Sequence, residues 1–403
     1  VTWTAGAHDD QSVRTFFLPE LTVSRLLSLG PSVRTALVCC VTALSGVACR
    51  EQRNARPASS VMAIGVGALP GRPGYDNVVR GVQMAVDRLN ETGKMRFEMR
   101  LPDKSSTSAV AVAESLREDP SVIAVVGHPE SGHTIEAVPV YADAEHAGRN
   151  AVVAISPTAS SPRLSGISPW FFRVAPSDNE AARYVARWVL DSLKSRRAAV
   201  IYRNDSYGRD WSTTFADSFI KAGASVVSRD PYLAGMTEWD AYAQLLARLK
   251  PDVLLFPGDA DDAVELLRAL REAKVSLTFI GGDGTEGMRD TDVAAGAHYV
   301  AFFQPDHVSS DDGKTFVRKY TEKFSREPDM FAAMSYDAAW VIGKTVSRGA
   351  TTRASLRKAL EQLGSKGSPS VDGVAGPIAF ERNHDVAGRH VVIATVRAKG
   401  SAF

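Results

Sequence analysis

From Val61 to Phe303 the chain alternates short β-branched runs with amphipathic segments of helical spacing, and this alternation restricts its fold more than any other feature. It calls for parallel strands joined by helical crossovers. The most informative stretch is Val122 to Ser161, where two apolar runs, Val122 to Val126 and Ala151 to Ile155, flank one amphipathic segment. Each run ends in a loop of small, hydroxyl-bearing residues. In an open parallel sheet, ligands lie outside the carboxyl ends of the strands, which puts Ser131-Gly132 and Ser156 to Ser161 beside a ligand. Hydroxyls and backbone N–H groups at a helix start favour an anion such as a carboxylate.

Taken in order, the strand-like runs are Val61 to Val66, Phe97 to Leu101, the two above, Trp170 to Val174, Ala198 to Tyr202, Val226-Val227, Val253 to Phe256, Thr278 to Ile280 and Tyr299 to Phe303. Asp76 is placed to cap the first helix. Three successive helices are expected at Asp312 to Phe324, Met330 to Val346 and Arg353 to Leu363, then a terminal hairpin of Ile378 to Glu381 and His390 to Val396. So many βα units imply two doubly wound parallel-sheet lobes. A (β/α) barrel is the structural rival, and the helical run and the hairpin count against it.

A chain of 403 residues can hold two ordinary cores. With 47 basic and 46 acidic residues there is no electrostatic footprint for nucleic acid. The three cysteines, Cys39, Cys40 and Cys49, all lie in the first fifty residues, so the body beyond them has no disulfide and no Cys-ligated metal. Arg34 followed by the uncharged run Ala36 to Ala48 reads as a secretory signal, too short to span a bilayer. Leu44 to Cys49 resembles a bacterial lipobox, which implies lipidation at Cys49, although Gly46 departs from the usual aliphatic residue. Residues 1–48 are thus read as a signal segment and 49–60 as a flexible tether.

From Val61 onward the chain resembles the type I periplasmic binding proteins, and among them the branched-chain amino-acid-binding proteins of ABC transporters. The resemblance is carried by Gly127-His128 with Ser131-Gly132 and Thr134, Ser156 to Ala159, Phe172-Arg173 with Pro176 to Asp178, Asp205 to Gly208, Lys250 to Val253, Gly281 to Gly284 and Tyr336 to Ala338. It implies a clamshell of two lobes, 61–176 with 304–370 and 177–303 with 371–403, joined by crossovers near Pro176, Gln304 and Ser370. It also implies that Ser131, Gly132, Thr158 and Ser160 hold a ligand carboxylate, that Tyr207 and Asp283 cover its ammonium, and that Tyr75, with Phe331, lines the pocket.

Two positions depart from the family pattern. Glu130 would repel a carboxylate at Ser131 unless it points away or pairs with a cation. Asp259, paired with Asp283, would suit a cationic or multiply hydrogen-bonding ligand. The ordinary readings of these residues are helix caps, turns and a solvated helix start. Signals for catalysis fail: Gly65, Gly67 and Gly71 miss the dinucleotide spacing, Gly343-Lys344-Thr345 lacks the earlier P-loop glycine, and His384 and His390 flank a turn. The expected function is therefore an extracytoplasmic, lipid-anchored binding protein without cofactor or metal. It would present a small amino-acid-like ligand to an ABC permease, and a ligand-sensing receptor of the same fold is the alternative.

Overall fold

β-Branched runs bounded by Gly, Pro and Asp become strands because their side chains pack on a pleated surface from both faces. The structure, a computed structural model, describes residues 61–389 and 391–398. The signal segment, the tether and Cys49 lie outside the described residues. Strands β1 (Met62–Gly67), β2 (Phe97–Arg100), β3 (Val122–Gly127), β4 (Val153–Ser156) and β5 (Phe171–Arg173) form a parallel sheet in the order β2-β1-β3-β4-β5. Its central strands β1, β3 and β4 are buried along their whole length, which matches their uninterrupted apolar sequence.

The same order recurs in a second sheet. Strands β6 (Arg197–Arg203), β7 (Ser225–Tyr232), β8 (Val253–Phe256), β9 (Thr278–Gly281) and β10 (His298–Ala301) run parallel as β7-β6-β8-β9-β10. Two open sheets exclude the barrel. Each changes direction of winding beside its first strand, between β1 and β3 and between β6 and β8, where a crevice opens at the carboxyl ends.

The first lobe carries α1 (Tyr75–Thr92), α2 (Ala109–Glu118) and α3 (Ser131–Tyr141). The second carries α4 (Asp178–Asp191), α5 (Ser206–Lys221), α6 (Asp240–Leu249) and α7 (Ala260–Glu272). Three helices without intervening strands follow, α8 (Asp311–Phe324), α9 (Met330–Ser347) and α10 (Arg353–Glu361). Helix α9 returns to the first lobe and packs on α1. The two backbones meet at Gly81, where a Cβ would lie 2.1 Å from the Ala332 carbonyl oxygen.

Three local expectations are corrected. Asp76 does not cap α1; the helix begins one residue earlier, after Gly74 in a left-handed conformation, and has no side-chain cap. The terminal hairpin is built from β11 (Val371–Gly373) and β12 (Gly376–Ile378), whereas β13 (Val392–Thr395) adds antiparallel to β10 and covers that sheet edge. Finally, the segment after Ser370 stays with the first lobe. Trp340 Nε1 donates to the Asp372 carbonyl at 3.1 Å, and Arg173 pairs with Asp385 at 2.7 Å. The return to the second lobe comes only between Arg389 and β13.

Asp337 holds this return in place. Its buried carboxylate accepts from the backbone N–H groups of Val374 at 2.6 Å and Ala375 at 3.2 Å and pairs with buried Arg389. Arg389 in turn donates to the Val174 carbonyl at 3.1 Å, beside the first crossover. Breaking one half of such a pair leaves a buried charge uncompensated. Asp337→Ala is expected to lower unfolding free energy by about 3–5 kcal/mol in urea titrations, and a loss within 1 kcal/mol or so would refute this bracing role.

Candidate functional site

The carboxyl ends of β1, β3 and β4 face those of β6, β8 and β9 across a cleft of about 240 Å³. On the first lobe, α3 starts directly after the β3 loop, so Ser131 sits in its first turn, 4% exposed. Ser131 Oγ accepts from the backbone N–H groups of Ser160 at 3.3 Å and Ser161 at 3.1 Å. A hydroxyl that accepts twice still has its own hydrogen to donate. The neighbouring loop is stitched in the opposite sense, its hydroxyls donating: Thr158 Oγ1 to the Pro129 carbonyl at 2.8 Å, and Ser156 Oγ to that of His128 at 2.6 Å. Ser131 is the one of these three whose hydrogen is left for a ligand. The two hydroxyl loops thus form one rigid polar shelf at a helix N-terminus, suited to an anion.

On the second lobe the cap of α5 fixes its counterpart. Asp205 accepts from the Gly208 N–H at 2.8 Å, which turns Tyr207 inward. Tyr207 Oη donates to Asp283 Oδ1 at 3.0 Å and accepts from the Gly284 N–H at 3.2 Å, and Trp211 Nε1 donates to the same carboxylate at 3.3 Å. A Cβ at Gly282 would lie 2.2 Å from the Tyr207 hydroxyl, so glycine there is a condition of the contact. Burial lifts the Asp283 carboxyl from 3.8 to about 6 against the Tyr207 and Trp211 bonds. Behind it, Asp178 is wholly buried at the start of α4, and burial followed by the nearby Asp283 charge pushes its carboxyl well up.

The mouth is lined by ion pairs. Arg72 meets Glu130 through Nε and Nη2, each at 3.2 Å, and Arg203 pairs with Asp205 at 2.5 Å and with Asp259. Burial opposes ionised Glu130, but the Arg72 hydrogen bond and the His133, Arg72 and Arg203 charges outweigh it and hold its carboxyl low. Glu130 therefore meets the condition set by its position beside Ser131. Asp259 lines the cleft as expected, and there it pairs with Arg203.

Ser131, Thr158, Ser160, Tyr207, Asp259 and Asp283 all line the cleft, as does Phe331. Tyr75 and Gly132 do not. Tyr75 faces a separate depression with Asp76 and Arg80, because α1 begins at Tyr75 and leaves Gly74 and Asn77 at the cleft wall. Gly132 turns to the outer side of α3, beside His133 and Asn204. Sequence reasoning missed Arg72, Asn77, Arg203 and Asp329. Arg203 was discoverable, since it ends a strand of the second sheet; Asn77 and Asp329 depend on how α1 meets α9.

Bonds between the lobes flank the cleft. Glu286, held locally by Arg289 at 2.9 Å, accepts from the Met330 N–H at 2.9 Å, Ser161 bonds to Asp210, and Arg163 donates to Ser206 at 3.2 Å. Among the described residues no group of three or more His, Cys, Asp or Glu side chains could hold a metal ion, and no helix is long and apolar enough to cross a membrane.

Two facing open sheets with a polar cleft between them define a two-lobed ligand-binding protein. The chain belongs to the periplasmic binding protein family, whose model matches residues 70–401. It is 28% identical over 268 residues to an amino acid binding protein of Pseudomonas aeruginosa, covering 64% of this chain and 70% of that one. It is 22% identical to a leucine-specific-binding protein of Salmonella typhimurium, covering 90% of this chain and 97% of the relative. The branched-chain amino acid transporter substrate binding protein LivJ of Streptococcus pneumoniae, solved with isoleucine, shares the fold at a TM-score of 0.74 and 23% identity, covering 84% of this chain and 97% of that one.

A buried carboxyl with a raised pKa weakens the fold at neutral pH. Folded Asp283 holds its proton more tightly than the unfolded chain, so its contribution is complete below about 3.8 and is lost as pH rises through about 6, at a cost near neutrality of about 3 kcal/mol. Asp283→Asn is expected to be more stable than the parent at pH 7.5 by up to about 3 kcal/mol in urea, the gain shrinking towards pH 4.5. A less stable variant at pH 7.5 would show instead that Tyr207 and Trp211 outweigh desolvation.

Proposed function

We propose that this protein captures an amino acid between its lobes and delivers it to a membrane permease of an ABC transporter. One observation carries the reading: the hydroxyl shelf of Ser131, Thr158 and Ser160 lies across the cleft from the Tyr207-Asp283 pair. The shelf matches an α-carboxylate and the acid matches an α-ammonium, so only a molecule bearing both groups at amino-acid spacing engages both lobes. Relatives described as amino acid binding and leucine-specific-binding support the same class. No covalent chemistry is required of the site.

Contacts made to both lobes exist only when the lobes meet, so the ligand favours the closed state by its differential affinity for it. The crossovers after β5, after β10 and before β13 are the segments that would flex. The permease and its ATPase would be separate chains, and the cleft would open to them. Lipidation at Cys49 would tether the protein outside the cytoplasm. Cys49→Ala in the intact chain is then expected to move the protein from the membrane fraction to the soluble extracytoplasmic fraction, and unchanged retention would reject this anchor.

Thermal shift against a panel of amino acids tests the main claim. A cognate ligand at about 100 times its Kd should add roughly 2.7 kcal/mol to stability. Because Asp283 must be ionised to meet an ammonium and burial holds its carboxyl at about 6, affinity should be constant above that pH and fall about ten-fold per unit below it. Asp283→Ala should abolish binding of the amino acid while sparing the fold. Silence of the parent across the panel, or a flat pH profile with a bound amino acid, would count against these roles.

A further inference from the structure

That reading assigns the backbone ends of the ligand and leaves its side chain open. Beyond the shelf and the Tyr207-Asp283 pair, the cleft is walled by Arg72 with Glu130, Arg203 with Asp259, and Asn77 with Asp329; Pro73, Pro129, Ala260, Met330 and Phe331 supply its apolar surface. Among the described residues no leucine, isoleucine or valine lines it. Gly74 stands where a side chain could have filled the wall, and the Phe331 ring closes over it, 3.1 Å from where a Cβ would be.

We propose that the ligand's side chain is neutral and forms hydrogen bonds, a carboxamide foremost, and is neither branched aliphatic nor charged. This inference rests on the amino-acid reading above. Closing the lobes on an aliphatic side chain would strip water from two ion pairs and return no hydrogen bond to them. A charged side chain gains little, because the carboxylates around it already have hydrogen-bond donors, and Arg326, the remaining cation of the wall, is exposed and pairs with Asp290. Glu130 has Arg72, Asp259 has Arg203, Glu286 has Arg289 and the Met330 N–H, and Asp329 accepts from Asn77 and the Ala332 N–H. Asp261 is on the solvent side of the first turn of α7, where water already screens it.

Paired charges nevertheless keep capacity for neutral partners. A guanidinium has five N–H donors and a carboxylate about four acceptor sites, so one ion-pair contact exhausts neither. Each pair therefore presents a donor and an acceptor side by side. A primary amide carries the complementary set, a carbonyl for the arginine and an NH2 for the carboxylate. A lone hydroxyl satisfies one of these at a time, which ranks it second.

Isothermal titration of the protein with glutamine, asparagine, serine, leucine, isoleucine, glutamate and lysine decides the matter. Glutamine or asparagine should bind at least ten-fold tighter than leucine, isoleucine, glutamate or lysine. Tighter binding of leucine or isoleucine, or of either charged amino acid, would overturn the inference and leave the amino-acid reading standing. Absence of binding by every member would overturn the amino-acid reading and this inference with it. As a second measurement, Arg203→Met combined with Asp259→Leu removes this pair, leaving half-exposed Asp205 its cap bond from the Gly208 N–H, and should shift the glutamine-to-leucine preference towards leucine by at least ten-fold. An unchanged ratio in a variant that still binds would remove this wall from specificity.

Discussion

Holding the Asp283 carboxylate out of water is the interaction on which the cleft depends. An unpaired buried carboxylate is too costly to keep, and the fold surrounds this one with the Tyr207 hydroxyl and the Trp211 indole N–H. Both donors come from α5, at positions four residues apart on one face of the helix. The capping of α5 by Asp205 and the close approach at Gly282 set where that face lies. The position of the acid thus follows from a helix start and a strand end meeting at the carboxyl edge of the second sheet. Asp283 weakens folding at neutral pH, which is the usual mark of a residue retained for what it binds rather than for what it braces.

The two lobes build their halves of the cleft by different means. The first lobe offers hydroxyls whose partners are mostly local, with Ser160 and Ser161 also reaching Asp178 and Asp210 of the second lobe. The second offers charge, and part of its electrostatic setting comes from across the cleft: Glu130 contributes to the environment of Arg203, and Arg72 feels Asp259. Opening would remove those neighbours and the bond from Glu286 to the start of α9. These attractions are opposed by the like charges of Glu130 and Asp259 and of Arg72 and Arg203 across the same cleft, and salt would weaken both. The ligand needs to supply only the remaining difference between the states.

Much of the fold was legible from periodicity. Val253–Phe256 appears as read, and the other strands of the parallel sheets lie where apolar runs meet turn residues. Errors arose where long-range contacts decide. The run from Phe380 to Val386 makes only an isolated antiparallel bridge, because Asp385 is drawn to Arg173 instead of a hairpin partner. Nothing near Asp385 in sequence signals this. Likewise the last strand looked like half of a hairpin, and its partner proved to be β10, almost a hundred residues upstream by the pairing of His298 with Thr395.

The site shows the same division. Ser131, Thr158 and Ser160 follow from a rule about strand ends, which needs no knowledge of neighbours, whereas Tyr207 and Asp283 were legible only through the family resemblance. Tyr75 failed by one position, since a helix that starts at Gly74 with no capping side chain gives little local sign of its register. Asp259 is in the cleft as read, but its chemistry is set by Arg203, fifty-odd residues away in sequence and adjacent in space. A lone acid at a strand end looks like a cation site, whereas this acid shares an arginine with Asp205. Strand-end position locates a ligand, then, but the charge state of the wall depends on pairs formed between different strands, and these are what separate one cargo from another on a shared fold.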